Sequence, residues 1–273
     1  MTESRAARAI AAAQAVAVSV GLDAAEAVVL HESNKYAVRL RPCDALARVA
    51  PVDEQVAQFE LDVAGKLAAA GAPVAVPDPR VPARVVERDG FTVAFWTYYE
   101  PAAPEVPPAE YAAALGRLHA GMRGLDVPAP HFTDRVAEAL TIVADRDVSP
   151  GLPEKDRAVL VEALDLGRHI AARGNEQHLH GEPHPGNLLA TRLGPRFIDF
   201  ETCCRGPVEF DLAHAPDAVA EHYRGADRDL LRECRILMLA MITAWRWDPA
   251  DRFPDGMRFA AEKLAELRAE FRR

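Results

Sequence analysis

Between His180 and Asp199 the chain sets a carboxylate, an amide and a second carboxylate at short, fixed spacings. His180-Gly-Glu-Pro-His-Pro-Gly-Asn187 is followed twelve residues later by Asp199-Phe-Glu201. Glu182 and Asn187 lie five residues apart, and Pro183, Pro185 and Gly186 between them exclude helix and predict a rigid loop. Leu188-Leu189-Ala190 predicts a short strand, Gly194-Pro195 a turn and Phe197-Ile198-Asp199-Phe200 a second strand, which together make a hairpin. Asn187 at one base and Asp199 at the other could then reach one metal ion. A carboxylate, an Asn five residues on and an Asp a dozen further suit phosphoryl transfer from ATP. The first carboxylate orients or deprotonates an acceptor hydroxyl, and the Asn and Asp hold Mg²⁺ against the phosphates. Mg²⁺ keeps most of its sites for water and phosphate, so two protein ligands suffice.

The same stretch carries a competing chemistry. His178, His180, Glu182 and His184 form an HxHxExH run, and His178 and His180 would share one face of a strand, as in metal-dependent hydrolases. Such a site needs further ligands elsewhere, and Pro183 and Pro185 bend the chain between Glu182 and His184.

Composition narrows the classes. Of 273 residues, 49% are hydrophobic and 27% charged, as in an ordinary globular protein with a substantial core. The net charge of −9 is spread along the chain, which argues against nucleic-acid or anionic-membrane partners. Four cysteines without a CxxC spacing suit a reducing, cytoplasmic setting. Arg5 and Arg8 precede an Ala/Val-rich run from Ala9 to Val20, which reads as an amphipathic first helix rather than an export signal, and no apolar run reaches membrane-spanning length.

The elements that must position the loop follow in order. Residues 5–20 predict a helix ended by Gly21. Residues 27–31, 36–40 and 45–49 predict three strands joined by tight turns. Val56, Phe59, Val63 and Leu67 mark a helix over 53–70, and Asp89-Gly90 joins a hairpin of 84–87 and 91–96. Pro101, Pro104, Pro107 and Pro108 form a stiff connector. Beyond it, helices are predicted around Tyr111–Met122 and over 134–146, 154–173, 227–247 and 256–272, the last with Met257, Ala260, Leu264, Leu267 and Phe271 as a packed face. His119 reads as a satisfied packing histidine, Cys203 and Cys204 as small buried residues, and Trp245 and Trp247 as core residues or substrate platforms.

The chain resembles the aminoglycoside phosphotransferase and choline kinase-like family, relatives of the protein kinases, over its whole length. His180-Gly-Glu-Pro-His-Pro-Gly-Asn187 resembles the family's HGDxHxxN catalytic loop, Ile198-Asp199-Phe200 its metal-binding IDF/IDW segment, and Gly206-Pro-Val-Glu-Phe-Asp211 the segment whose Asp braces that loop. The resemblance implies an α+β, protein kinase-like bilobal fold. Residues 1–97 would be a β-rich nucleotide-binding lobe with one inserted helix, 98–108 a hinge, and 109–273 an α-rich lobe carrying the catalytic loop and acceptor site. It further implies that Arg48 holds the α/β phosphates with Glu60 as ion-pair partner, and that backbone groups of Ser33 and Asn34 cover the phosphates. Trp96-Thr97-Tyr98-Tyr99 would supply the hinge, with backbone groups of Thr97 and Tyr99 on the adenine edge. His180 is implied as a buried hydrogen-bonding residue of the loop. The cofactors implied are ATP or GTP with Mg²⁺. The partner is a small hydroxylated acceptor such as an aminoglycoside, another antibiotic or a related alcohol, as in antibiotic-resistance enzymes, bound by a monomer or homodimer.

Two positions depart from that pattern. Glu182 stands where the family has Asp, and its extra methylene moves the carboxylate by about 1.5 Å where positioning errors of about 1 Å already cost rate. A nucleotide-binding protein with weak or no transferase activity is therefore the first alternative, and a hydrolase built on the histidine run the second. Arg48 stands for Lys, but with 28 Arg and 4 Lys in the chain a general Arg bias accounts for that exchange.

Overall fold

The computed structural model describes residues 4–33, 35–52 and 56–271. Helix α1 (Arg5–Ser19) starts where the Ser4 side chain accepts the Ala7 N–H, 3.2 Å, and stops before Gly21, whose φ of +86° only glycine adopts freely. Strands β1 (Glu26–Glu32), β2 (Tyr36–Arg41) and β3 (Ala45–Pro51) follow, then α2 (Ala57–Ala69), β4 (Val86–Arg88) and β5 (Phe91–Thr97). They form one antiparallel sheet in the order β1-β2-β3-β5-β4. Side chains alternate across it. Val38, Leu40, Ala47, Val49, Val93 and Phe95 are buried with the Ala9, Ala13 and Ala17 stripe of α1, whose small side chains let the helix lie close. The opposite face carries Arg48, flanked in register by Ala37 and Ala94.

Helices α3 (Pro108–Met122), α4 (Phe132–Ala144) and α5 (Glu154–Arg173) come next, then β6 (Gln177–Leu179). The hairpin β7 (Leu188–Thr191) and β8 (Gly194–Phe197) is followed by β9 (Cys204–Gly206), which pairs antiparallel with β6. Helices α6 (Val208–His214), α7 (Asp217–His222), α8 (Arg228–Trp245) and α9 (Gly256–Glu270) complete the chain. Helix α8 packs against α4, α5, α6 and α9. Among the described residues no helix is long and apolar enough to cross a membrane.

The chain forms two compact units, Met1–Glu110 with Asn187–Glu201 and Tyr111–Gly186 with Thr202–Arg273. The hairpin, assigned from sequence to the lobe 109–273, thus groups with the sheet unit. Its strands bond to extended backbone there: Phe197 N–H donates to Pro73 O (2.9 Å), Ala75 N–H to Phe197 O (2.9 Å), and Ala102 N–H to Ala190 O (2.8 Å). The connector at 98–108 is therefore partly tied to the hairpin.

Several boundaries differ from the sequence reading. The hairpin turns at Arg192-Leu193, with Gly194 and Pro195 already in β8, and the strand ends at Phe197 rather than running through Phe200. Pro185–Asn187, read as irregular, is a single 3₁₀ turn, which a proline at its first position permits. Helices α6 and α7 are too short to show a helical period and were not foreseen. In α9 only Ala260, Leu264 and Leu267 of the expected stripe are buried, whereas Met257 is 50% and Phe271 39% exposed. Residues 53–55 of the expected second helix and residue 272 of the expected last helix lie outside the described residues.

The sheet core gives a direct contrast. Leu40 is wholly buried and Val28 is 42% exposed on edge strand β1. Leu40→Ala is expected to cost ~2–5 kcal/mol in urea unfolding, and Val28→Ala less than about 0.5 kcal/mol.

Candidate functional site

In the sheet unit, the Arg48 guanidinium reaches two carboxylates. One nitrogen pairs with Glu60, from the first turn of α2, and Nη2 lies 3.3 Å from Asp199 Oδ2. The alanines beside Arg48 leave room for that reach. Glu60 is 3% exposed, and burial pushes its carboxyl up to about 7 against the pull of Arg48. Burial works to lower the Arg48 guanidinium, but Glu60, Asp199 and Glu201 hold it above its ordinary value. Lys35, just before β2, pairs with Glu201 in the one-turn helix Phe200–Thr202. Burial likewise works against the Lys35 ammonium, and Glu201 raises it.

Asp199 follows β8 with a φ of +68°, a left-handed conformation that Asp tolerates better than most residues. That backbone turns the chain off the hairpin, and Ile198 N–H closes the base on Asn187 O at 3.0 Å. Asn187 and Asp199 thus flank the same open end of the hairpin ladder, next to the Leu188–Phe197 pair. Asp199 Oδ1 is buried without a hydrogen-bond partner among the described residues. A buried, unpartnered carboxylate oxygen beside an amide residue is a hard-oxygen donor set that fits Mg²⁺.

The other residues foreseen in this unit divide. Ser33 N–H is spent on Lys35 O, 2.9 Å, closing its own turn, and Asn34 lies outside the described residues. Trp96 is buried on β5 with its Nε1 unpartnered among the described residues, lining a small cavity with Lys35, Arg48 and Glu60. Thr97 N–H donates to Val76 O, 3.0 Å, in the extended segment before β4, so this N–H is not open to an adenine edge. Tyr99 is half-buried two residues past β5.

In the helical unit, loop 180–186 is built around Asp211. This carboxylate, fully buried on α6, accepts His180 N–H at 2.9 Å and Gly181 N–H at 2.8 Å and faces His119 Nε2 at 3.0 Å. Burial raises its pKa, but these hydrogen bonds and His119 outweigh burial and hold it below 3.8. His119 is in turn oriented by the Tyr223 hydroxyl, 2.7 Å from Nδ1, so it is a buried brace for Asp211 as well as a packing residue. Gly181 has a φ of +92°, and a Cβ there would lie 2.0 Å from Thr202 O, so no other residue fits. Thr202 Oγ1 donates to His180 O at 3.2 Å, and Tyr111 OH donates to Pro183 O. His180 is fully buried.

Glu182 leaves this scaffold toward α4, where its carboxylate pairs with Arg135. Burial raises the Glu182 pKa, yet Arg135, His214 and His184 bring it below its ordinary value. His214, on α6, is pushed down to about 4 by burial and stays neutral near pH 7. The histidine run does not converge on a metal. His178 Nε2 donates to Val127 O at 2.9 Å, His184 Nδ1 accepts Gly186 N–H at 3.0 Å, and among the described residues no three His, Cys, Asp or Glu side chains are grouped to hold an ion. Cys203, pushed up to about 12 by burial, and Cys204, also raised by burial well above the ordinary thiol value, are buried and inert.

Sequence reasoning missed Lys35, Glu201 and Arg135. Lys35 carried a usable signal, as one of 4 lysines beside 28 arginines. Arg135 carried none, because nothing in α4 distinguishes it from an exposed helix arginine.

The brace is testable. Asp211→Asn is expected to destabilise the chain by ~3–5 kcal/mol at pH 7 in urea unfolding, because it removes a buried charge with three partners. Asp211 has a depressed native pKa, so its contribution is full above the unfolded value near 3.8 and is lost as pH falls through the native one. The gap between the two proteins should therefore close on acidification.

Comparison with known proteins places these two units in context. A sequence model of the phosphotransferase enzyme family matches residues 14–237. A choline/ethanolamine kinase family protein from Mesorhizobium loti superposes with a TM-score of 0.71 at 18% identity, covering 96% of this chain and 93% of its own. The GDP complex of aminoglycoside 2′-phosphotransferase-IIIa gives 0.69 at 16% identity, with 93% and 96% covered. An amicoumacin kinase in complex with AMP-PNP, Ca²⁺ and Ami gives 0.68 at 14%, with 97% and 96% covered. A search of curated protein sequences returns no significant match. The fold is α+β and protein kinase-like, and the chain belongs to the phosphotransferase enzyme family.

Proposed function

We propose that this protein transfers the γ-phosphoryl group of ATP, with Mg²⁺, to a hydroxyl of a small molecule. The observation that carries the reading is Arg48 paired with Glu60 and Asp199 while Asp199 Oδ1 is left buried and, among the described residues, without a hydrogen-bond partner. Arg48 and Lys35 would neutralise phosphate oxygens, each already aimed by a carboxylate. Asn187 and Asp199 would hold Mg²⁺, which supplies charge neutralisation on the phosphates. GTP is the other candidate donor, since one similar structure holds GDP and another AMP-PNP.

On the helical unit, Glu182 would orient the acceptor hydroxyl. The hydroxyl oxygen bonds to the γ-phosphorus as the bond from that phosphorus to the β–γ bridging oxygen breaks and ADP leaves, and the hydroxyl proton passes late to the Glu182 carboxylate. The low proton affinity of Glu182 suits orientation better than early deprotonation, in keeping with a loose phosphoryl transition state. A cavity of about 570 Å³ lies beside the loop, lined by Pro185, His214 and residues of α8 and α9. Arg232, Arg235 and Lys263 there face Asp217, Glu266 and Glu270, so its walls carry no surplus of carboxylates. This balance favours a neutral or mixed-charge hydroxylated acceptor over a polycationic aminoglycoside. The remaining parts of the reading are a cytoplasmic monomer or homodimer without nucleic-acid or membrane partners.

A second reading, nucleotide binding without transfer, is favoured by the ion pair that already occupies Glu182. Thermal unfolding with millimolar ATP separates the outcomes. The main reading predicts a rise in Tm that requires Mg²⁺ and is lost in Asp199→Asn. It also predicts transfer to a panel of hydroxylated small molecules that falls about 10²-fold or more in Glu182→Ala with nucleotide binding kept. Binding without any transfer selects the second reading, and no Mg²⁺-dependent shift with either ATP or GTP sinks both.

A further inference from the structure

Arg135 projects from α4, a helix that buries Phe132, Val136 and Ala139 in the helical unit. Its guanidinium lies 4.6 Å from the centre of the Trp245 ring at the end of α8 and pairs through Nη2 with Glu182. Its Nη1 is buried and has no hydrogen-bond partner among the described residues. A guanidinium placed for its own hydrogen bonding would not leave a buried N–H unmet. Stacking on an aromatic face fixes the plane of the fork, and the fork then fixes where a carboxylate can sit. An aspartate at 182 would be one methylene shorter and would fall short of that fork. The longer Glu182 and the arginine on its platform thus belong together.

We propose that Arg135, seated on Trp245, is the positioning residue for Glu182. It holds the carboxylate in the one place from which the longer side chain can meet an acceptor hydroxyl. The inference rests on the reading that loop 180–187 faces the acceptor. Among the charged and titratable groups that face Glu182, Arg135 has the largest effect, ahead of His214 of α6 and then His184 of the loop. Cys204 of β9 is held neutral by burial, and the Trp245 ring of α8 is uncharged.

Two measurements on the full chain test it. The first needs no turnover. Protein labelled with ¹³C at glutamate Cδ shows the Glu182 carboxylate directly, assigned by its loss in Glu182→Gln. Its titration midpoint should lie below the ordinary glutamate value in the native chain. It should rise by about one pH unit or more in Arg135→Gln and by less in Arg135→Lys, because an adjacent opposite charge is worth about 1–3 units. The second is a double-mutant cycle on Mg-ATP hydrolysis, with water as the acceptor. Arg135→Gln should lower kcat about tenfold or more, leave KM for ATP unchanged and move the acid limb of the pH–rate profile upward. In the Glu182→Asp background the same change should have almost no effect. An unmoved Glu182 midpoint in Arg135→Gln overturns the proposal, as does an equal kcat loss in both backgrounds. A native chain that neither binds nor hydrolyses Mg-ATP overturns the functional reading instead, and the carboxylate titration still decides the pair.

Discussion

A carboxylate stays ionised inside a protein only where donors surround it, because desolvation alone would protonate it. Asp211 meets that condition with two consecutive backbone N–H groups and His119, and those N–H groups belong to His180 and Gly181. One buried charge therefore dictates the backbone path into the loop. The glycine at 181, the Thr202 contact at its back and the Tyr111 contact at Pro183 follow from holding that path. Glu182 leaves the loop in a defined direction because Gly181 before it is bonded to Asp211 and Pro183 after it to Tyr111.

The sheet unit solves a related problem differently. Three carboxylates, Glu60, Asp199 and Glu201, come close to two cations, Arg48 and Lys35. Each carboxylate comes from a different backbone setting: a helix turn, a left-handed residue and a one-turn helix. The cations are consequently held in place by the protein's own carboxylates, the kind of arrangement that the proposed phosphoryl transfer would use as electrostatic preorganisation. Buried pairs of this kind contribute little net stability. Their value is in orientation.

Much of this was readable from one dimension. The five strands of the sheet follow from alternation and from turn residues, and α1, α2, α3, α4, α5, α8 and α9 from helical spacing and stop signals. The loop His180–Asn187 and the Asp199 segment stand out because prolines, glycines and carboxylates at fixed offsets are rarely accidental. Where the reading failed, the deciding contact was remote in sequence. The hairpin's membership of the sheet unit depends on bonds from Phe197 to Pro73 and Ala75, more than a hundred residues away. The Thr97 N–H is taken by Val76 O, from an extended segment about twenty residues earlier that lies beside the end of β5. Met257 and Phe271 match the helical period of α9 yet stay exposed at its two ends, where a spacing rule cannot tell whether anything packs against them.

The sequence by itself determined which chemistry is possible. Residue types and local spacing set the candidate metal-binding pair Asn187 and Asp199, the loop and the strand that presents Arg48, since these depend on covalent geometry and short-range periodicity. Only the tertiary structure decided which charges meet. Lys35 finds Glu201 across 166 residues and Arg135 finds Glu182 across 47. No local rule pairs them, because the partner of a buried charge is chosen by whatever the packing brings within a few ångströms and not by its distance along the chain.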